Sequence, residues 1–137
     1  QTGRKPEAMR PIEEIVQRHP EEPSALNYVG YTLAEKGQDL QRAYALIKKA
    51  VEIEPDNPHI IDSMAWVNYQ LKDYNAAWQE ILKAISYSPA EATIWEHYAD
   101  IALALHKIKE AKEGYAKALE LGPEDAAVVR RKLENLK

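Results

Sequence analysis

PHIIDSMAWVNYQLKDYNAAWQEILKAISYSPAE, residues 58–91, is the stretch whose reading decides the fold. It carries two apolar stripes divided by a polar turn. Ile61, Met64 and Ala65 recur at helical spacing in the first half, and Ala77, Ile81, Ala84 and Ile85 in the second, until Pro89 ends the run. Asn57 stands where a helix cap is needed. Pro58 stands at the first helical position, where its missing N–H would have no partner anyway. The spacing predicts a helix, a turn and a second helix.

The same script runs on either side. Residues 23–57 give Leu26, Val29, Gly30 and Leu33, then Ala43, Ile47, Ala50 and Val51, then Pro55. Residues 92–125 give Trp95, Tyr98, Ala99 and Ala102, then Ala111, Tyr115, Ala118 and Leu119, then Pro123. The closing prolines, Pro20, Pro55, Pro89 and Pro123, lie 35, 34 and 34 residues apart. The one extra residue is placed in the turn at 37–40, where an insertion leaves the packed faces in register. Upstream, Ala8, Ile12 and Ile15 recur at helical spacing until His19-Pro20, with Pro11 in or just after the first turn. Residues 6–20 match only the second helix of a unit. The chain is therefore expected to be a piece of a longer array, with an apolar surface left to cover. Downstream, Ala126, Val129, Leu133 and Leu136 share one face of a helix over 126–136, while Arg130, Arg131, Lys132, Glu134 and Lys137 lie elsewhere. That pattern suits a capping helix, apolar towards the last unit and polar towards water. Its rival is the first helix of another unit.

The period and the small residues at fixed offsets resemble the tetratricopeptide repeat (TPR) family. Small residues at helix crossings let two helices approach closely, and larger apolar residues fill the gaps. The resemblance implies an all-α solenoid of antiparallel helix pairs, forming one domain over residues 1–137. It would have a half repeat at 6–20, full repeats at 23–57, 58–91 and 92–125, and a cap at 126–136. Asn68 departs from the pattern, where the family prefers an aromatic residue. The runs Leu26–Ala34, Ala43–Ile47 and Asp62–Trp66 are similar to segments of large bacterial TPR proteins, several of them envelope-associated or lipoprotein adaptors. That likeness leans towards a bacterial cell envelope or cytoplasm.

The composition narrows the chemistry. A net charge of −4 and a pI of about 5.6 argue against a nucleic-acid partner. There is no cysteine, so neither disulfides nor thiolate metal sites arise. No apolar run approaches the ~20 residues that span a bilayer. The glycines are scattered, and neither a nucleophile elbow nor an HExxH motif occurs. His59 with Asp62, and His97 with Asp100, have the spacing of a metal pair. The alternative, polar surface positions, is the expected one. Asp62 with Glu96 or Asp100 imitates an acid–base dyad, but nothing supplies a closed pocket. The expectation is no enzyme, no metal and no cofactor.

In the TPR fold, as the resemblance implies, first helices line a concave groove through the second, fifth, ninth, twelfth and thirteenth positions of each unit. Of the fifteen residues at those positions none is Lys or Arg, four (Glu35, Asp62, Glu96, Asp100) are acidic and three (Tyr31, Trp66, Tyr69) are aromatic. Chaperone-binding TPRs grip a carboxylate with Lys, Asn and Arg. The matching positions here hold Asn27, Tyr31, Ser63, Thr93 and His97, so that clamp is absent. The candidate site is Asn27, Tyr31, Asp62, Trp66, Tyr69, Glu96 and Asp100. The expected partner is another protein, a peptide or helix with basic and apolar side chains. In a rival reading Tyr31 and Trp66 pack against neighbouring helices and the carboxylates are merely solvated. In an architectural alternative the chain extends a superhelix, or forms a homo-oligomer through the exposed half repeat. Trp78 and Tyr74 are assigned to packing between repeats, and Arg42, Lys48, Lys49 and Glu52 to a solvated convex face.

Overall fold

The computed structural model describes residues 14–136, which are helical and without strand. A helical stretch at 14–18 is followed by α1 (Pro23–Glu35), α2 (Leu40–Ile53), α3 (Pro58–Gln70), α4 (Tyr74–Tyr87), α5 (Ala92–Ala104), α6 (Ile108–Leu121) and α7 (Ala126–Glu134). The expectations for residues 6–13 lie outside the described residues. Ile15 and Val16 pack against the first core cluster.

The helix starts follow from local chemistry. Asn57 Oδ1 accepts from the backbone N–H of His59 at 2.9 Å and of Ile60 at 3.4 Å. Asp73 and Asp125 each cap through a 3.3 Å bond, from Ala76 N–H and Val128 N–H. The turns inside the pairs share one device. Gln38 N–H reaches Leu33 O and Gly37 N–H reaches Ala34 O, and the same two bonds recur from Asp73 and Lys72, and from Lys107 and His106. This paired C-terminal motif needs a left-handed residue. Gly37 supplies it at φ +67°, but Lys72 and His106 occupy it at +68° and +62°. The longer first turn adds a second left-handed residue, Asp39 at φ +46°. Relief of left-handed strain, about 1–2 kcal/mol, outweighs the added unfolded-state freedom of glycine, about 0.5–1 kcal/mol. Lys72→Gly should therefore raise stability by about 0.5 kcal/mol or slightly more. A lowered urea midpoint would contradict this.

First helices pack on first helices, α1 on α3 and α3 on α5, and each second helix packs on the first helix that follows. The second helices make no comparable contact with one another, so the chain curves with α1, α3 and α5 on its inner face. The core divides accordingly. One cluster joins α1 and α2 to α3, a second joins α3 and α4 to α5, and a third joins α5 and α6 to Val129 of α7. At the crossings Ala43, Ala50, Ala65, Ala77, Ala84, Ala99, Ala111 and Ala118 are fully buried. Gly30 permits the tightest approach: a Cβ there would lie 2.5 Å from Ile47 Cγ1. Asn68 is buried and donates to Glu80 Oε1 at 2.8 Å, which explains how a polar residue is tolerated at that position.

Candidate functional site

The inner face has two zones. The first is an open cleft of about 460 Å³ between α1, α3 and the start of α5. Asn27, Tyr31 and Asp62 border it, together with Glu35, Glu91 and Glu124. Glu91 directly precedes α5 and Glu124 lies in the connection before α7, so neither belongs to the helical groove positions. Tyr28 stands at the same cleft, 55% exposed. Asn27 Oδ1 is buried without a hydrogen-bond partner among the described residues. Burial first, and then the charges of Glu35, Asp62, Glu96 and Glu124, hold the Tyr31 hydroxyl well above the ordinary phenol range. Negative potential thus converges on this end of the groove.

The second zone is closed by the chain itself. His97 Nδ1–H donates to Asp62 Oδ1 at 2.8 Å, joining α3 to α5, and the two residues are only 6% and 7% exposed. Burial alone would lower the imidazole's proton affinity. The charge and hydrogen bond of Asp62, aided by Asp100 and Glu96, outweigh it, so the His97 pKa is raised. The Trp66 ring stacks on His97 with centroids 4.1 Å apart and on Tyr69 at 4.6 Å, while Tyr31 lies 6.3 Å from His97. Further along α5, Lys132 of α7 reaches into the groove. Its Nζ lies 3.0 Å from Glu96 Oε2 and 3.2 Å from Asp100 Oδ1, and Tyr115 O–H donates to the same Asp100 oxygen.

The comparisons with known proteins agree on one architecture. No family profile matches the chain. A TPR repeat-containing protein of Pseudomonas aeruginosa is 45% identical over 56 residues, 41% of this chain and 10% of that protein. Human tetratricopeptide repeat protein 13 is 25% identical over 119 residues, 84% of this chain and 14% of that protein. The matches thus span only about a tenth to a seventh of these relatives' lengths. Among solved structures, a thermophilic TPR protein of Thermus thermophilus superposes with a TM-score of 0.77 at 22% identity, covering 94% of this chain and 71% of that one. The first TPR of Spaghetti (RPAP3), bound to the HSP90 peptide SRMEEVD, superposes with a TM-score of 0.75 at 22% identity, covering 84% and 90%. The chain has the tetratricopeptide-repeat fold.

Within this TPR fold several sequence-based expectations need correction. Asp62 is not a free steering carboxylate, because His97 engages it. His97 is not a polar surface position but a buried partner. Trp66 does not present an open ring: it packs partly against the first core cluster and stacks on Tyr69 and His97. Its indole N–H is buried without a partner among the described residues. Glu96 and Asp100 are not free either, because Lys132 faces the groove instead of water. Tyr74 tilts against Tyr69 of its own unit, whereas Trp78 does pack between repeats, stacked on Tyr98 at 4.9 Å.

The residues missed were His97, Lys132, Tyr28, Glu91 and Glu124. Register could have found two of them. His97 occupies the sixth position of its unit, facing the fifth position of the unit before, where Asp62 stands. Lys132 comes 34 residues after Tyr98, at the position that holds Val29, Met64 and Tyr98 in the three full units. Those three are buried, so a lysine in that register is itself a signal.

Proposed function

We propose that this domain is a protein-interaction scaffold whose inner face holds a peptide or helix bearing lysine or arginine among apolar side chains. The carrying observation is the open cleft. Glu35, Glu91 and Glu124 come from three separate parts of the chain and converge on its lining. A concave wall lined by converging carboxylates attracts a basic partner and raises its encounter rate. The exposed ring of Tyr28 adds contact area and a cation–π face. The Spaghetti domain's bound peptide, SRMEEVD, supports the groove as a peptide seat in this fold. The acidic lining here favours the opposite ligand charge. The Pseudomonas relative fits a bacterial adaptor.

Glu91 and Glu124 are both exposed, so reversing their charge leaves the core untouched. Glu91→Lys combined with Glu124→Lys should weaken binding of a basic amphipathic peptide about tenfold or more at low salt, with unchanged helicity. Unaltered affinity would remove the cleft from the binding surface.

A further inference from the structure

We propose that Glu96 and Asp100 form a subsite for a lysine of the partner, and that Lys132 is an internal occupant which must vacate it. The inference rests on the groove reading above.

The seat is complete for an ammonium group. Lys132 Nζ has oxygens at 3.0 Å on Glu96 and at 3.2 and 3.3 Å on Asp100, matching the three donors of a lysine. The Tyr115 ring lies below, its centroid 5.7 Å from Nζ, and the Tyr115 hydroxyl fixes Asp100 from the side. The seat continues the cleft, since Thr93 and Ile94, one turn earlier on α5, line that cleft. A partner segment lying along α5 therefore meets the cleft first and these carboxylates next.

The occupant is built to be a poor fastener. α7 has nine residues and one buried side chain, Val129. Val129 and the partly buried Leu133 pack on the third core cluster, and among the described residues Lys132 supplies the side-chain hydrogen bonds from α7 to α5. The register of Lys132 elsewhere holds buried Val29, Met64 and Tyr98. An apolar residue there would seal the third core cluster at least as well, because a partly buried ion pair is often no more stable than a well-packed apolar replacement. A charge at a register that the three full units fill with buried, largely apolar side chains points to a use in competition. Two ammonium groups cannot share the seat. The partner's affinity is thus reduced by the fraction of molecules in which Lys132 is home.

The test uses a fluorescein-labelled amphipathic peptide of leucine, alanine and lysine, titrated by fluorescence anisotropy. Lys132→Met keeps the stem over Tyr115 and removes the charge. It should tighten binding about tenfold, a coupling of ordinary size, and adding Asp100→Asn should abolish the gain. Equal or weaker binding by a folded Lys132→Met chain overturns the inference and leaves Lys132 as a clip. Hydrogen exchange of the unmodified chain is independent of that variant's folding. Saturating peptide should speed exchange of the amides of α7, and slower or unchanged exchange contradicts displacement. If neither the unmodified chain nor the variant binds the peptide, the groove reading itself fails and this inference with it.

Discussion

Asp62→Ala should destabilise the domain by about 3–5 kcal/mol, a large share of the ~5–15 kcal/mol that holds a typical domain together. The substitution leaves the His97 ring 6% exposed, stacked on Trp66, with its hydrogen-bond partner gone. It also cuts the direct side-chain bond between α3 and α5, the first helices of two successive repeats. Asp62→Asn should cost less, because the amide oxygen can still accept from Nδ1–H. The pH dependence gives an independent check. The folded pKa of His97 lies above its ordinary 6.5. Protonation therefore favours the folded state, and the contribution is fully present below about pH 6.5 and lost as pH rises through the folded value. The unmodified chain should lose stability on that alkaline side. Asp62→Ala should lose this decline, since burial then dominates and lowers the His97 pKa. Urea unfolding across neutral pH measures both effects. A change below 1 kcal/mol with an unaltered slope would show that the pair is incidental.

Ile47→Ala should cost about 2–5 kcal/mol by opening a cavity in the first core cluster. Ile47 is fully buried, and its Cγ1 lies 2.5 Å from the site of a Cβ on Gly30. Gly30→Ala alone forces that contact, and the backbone oxygen of Ala43 at 3.1 Å leaves little room to yield. Overpacking of this kind costs about 1–3 kcal/mol. The two substitutions are complementary, because the added methyl enters the space that the isoleucine vacates. The double variant should therefore be more stable than the sum of the singles predicts, by about 0.5–3 kcal/mol. Additive losses would mean that Gly30 is not there to admit Ile47.

The fold was legible because it is periodic. Pro20, Pro55, Pro89 and Pro123 mark the repeat, and the small residues at its crossings turn out fully buried. The site was legible only in part. Position within a repeat identifies which side chains face inward, and it placed Asn27, Tyr31, Asp62, Trp66, Tyr69, Glu96 and Asp100 on the inner helices. It does not say which of them the chain has already used. Asp62 and Trp66 are engaged by His97 from the next repeat, a relation between units that no single unit displays. Glu96 and Asp100 are engaged by Lys132, whose helix reads as an outward-facing cap when its apolar face alone is considered. Glu91 and Glu124 enter the groove from connections, where helical periodicity assigns no direction. The open part of the groove thus lies towards α1 and the loop carboxylates, away from the aromatic centre that the sequence emphasises.

The central claim is that this inner face takes a basic partner. The most direct measurement is the affinity of the unmodified domain for three versions of one amphipathic peptide, with lysine, glutamine or glutamate on the polar face, at low and raised salt. The account predicts that the lysine peptide binds most tightly, that the glutamate peptide binds least, and that added salt weakens the lysine complex. Preferential binding of the glutamate peptide, or equal binding of all three, would contradict it.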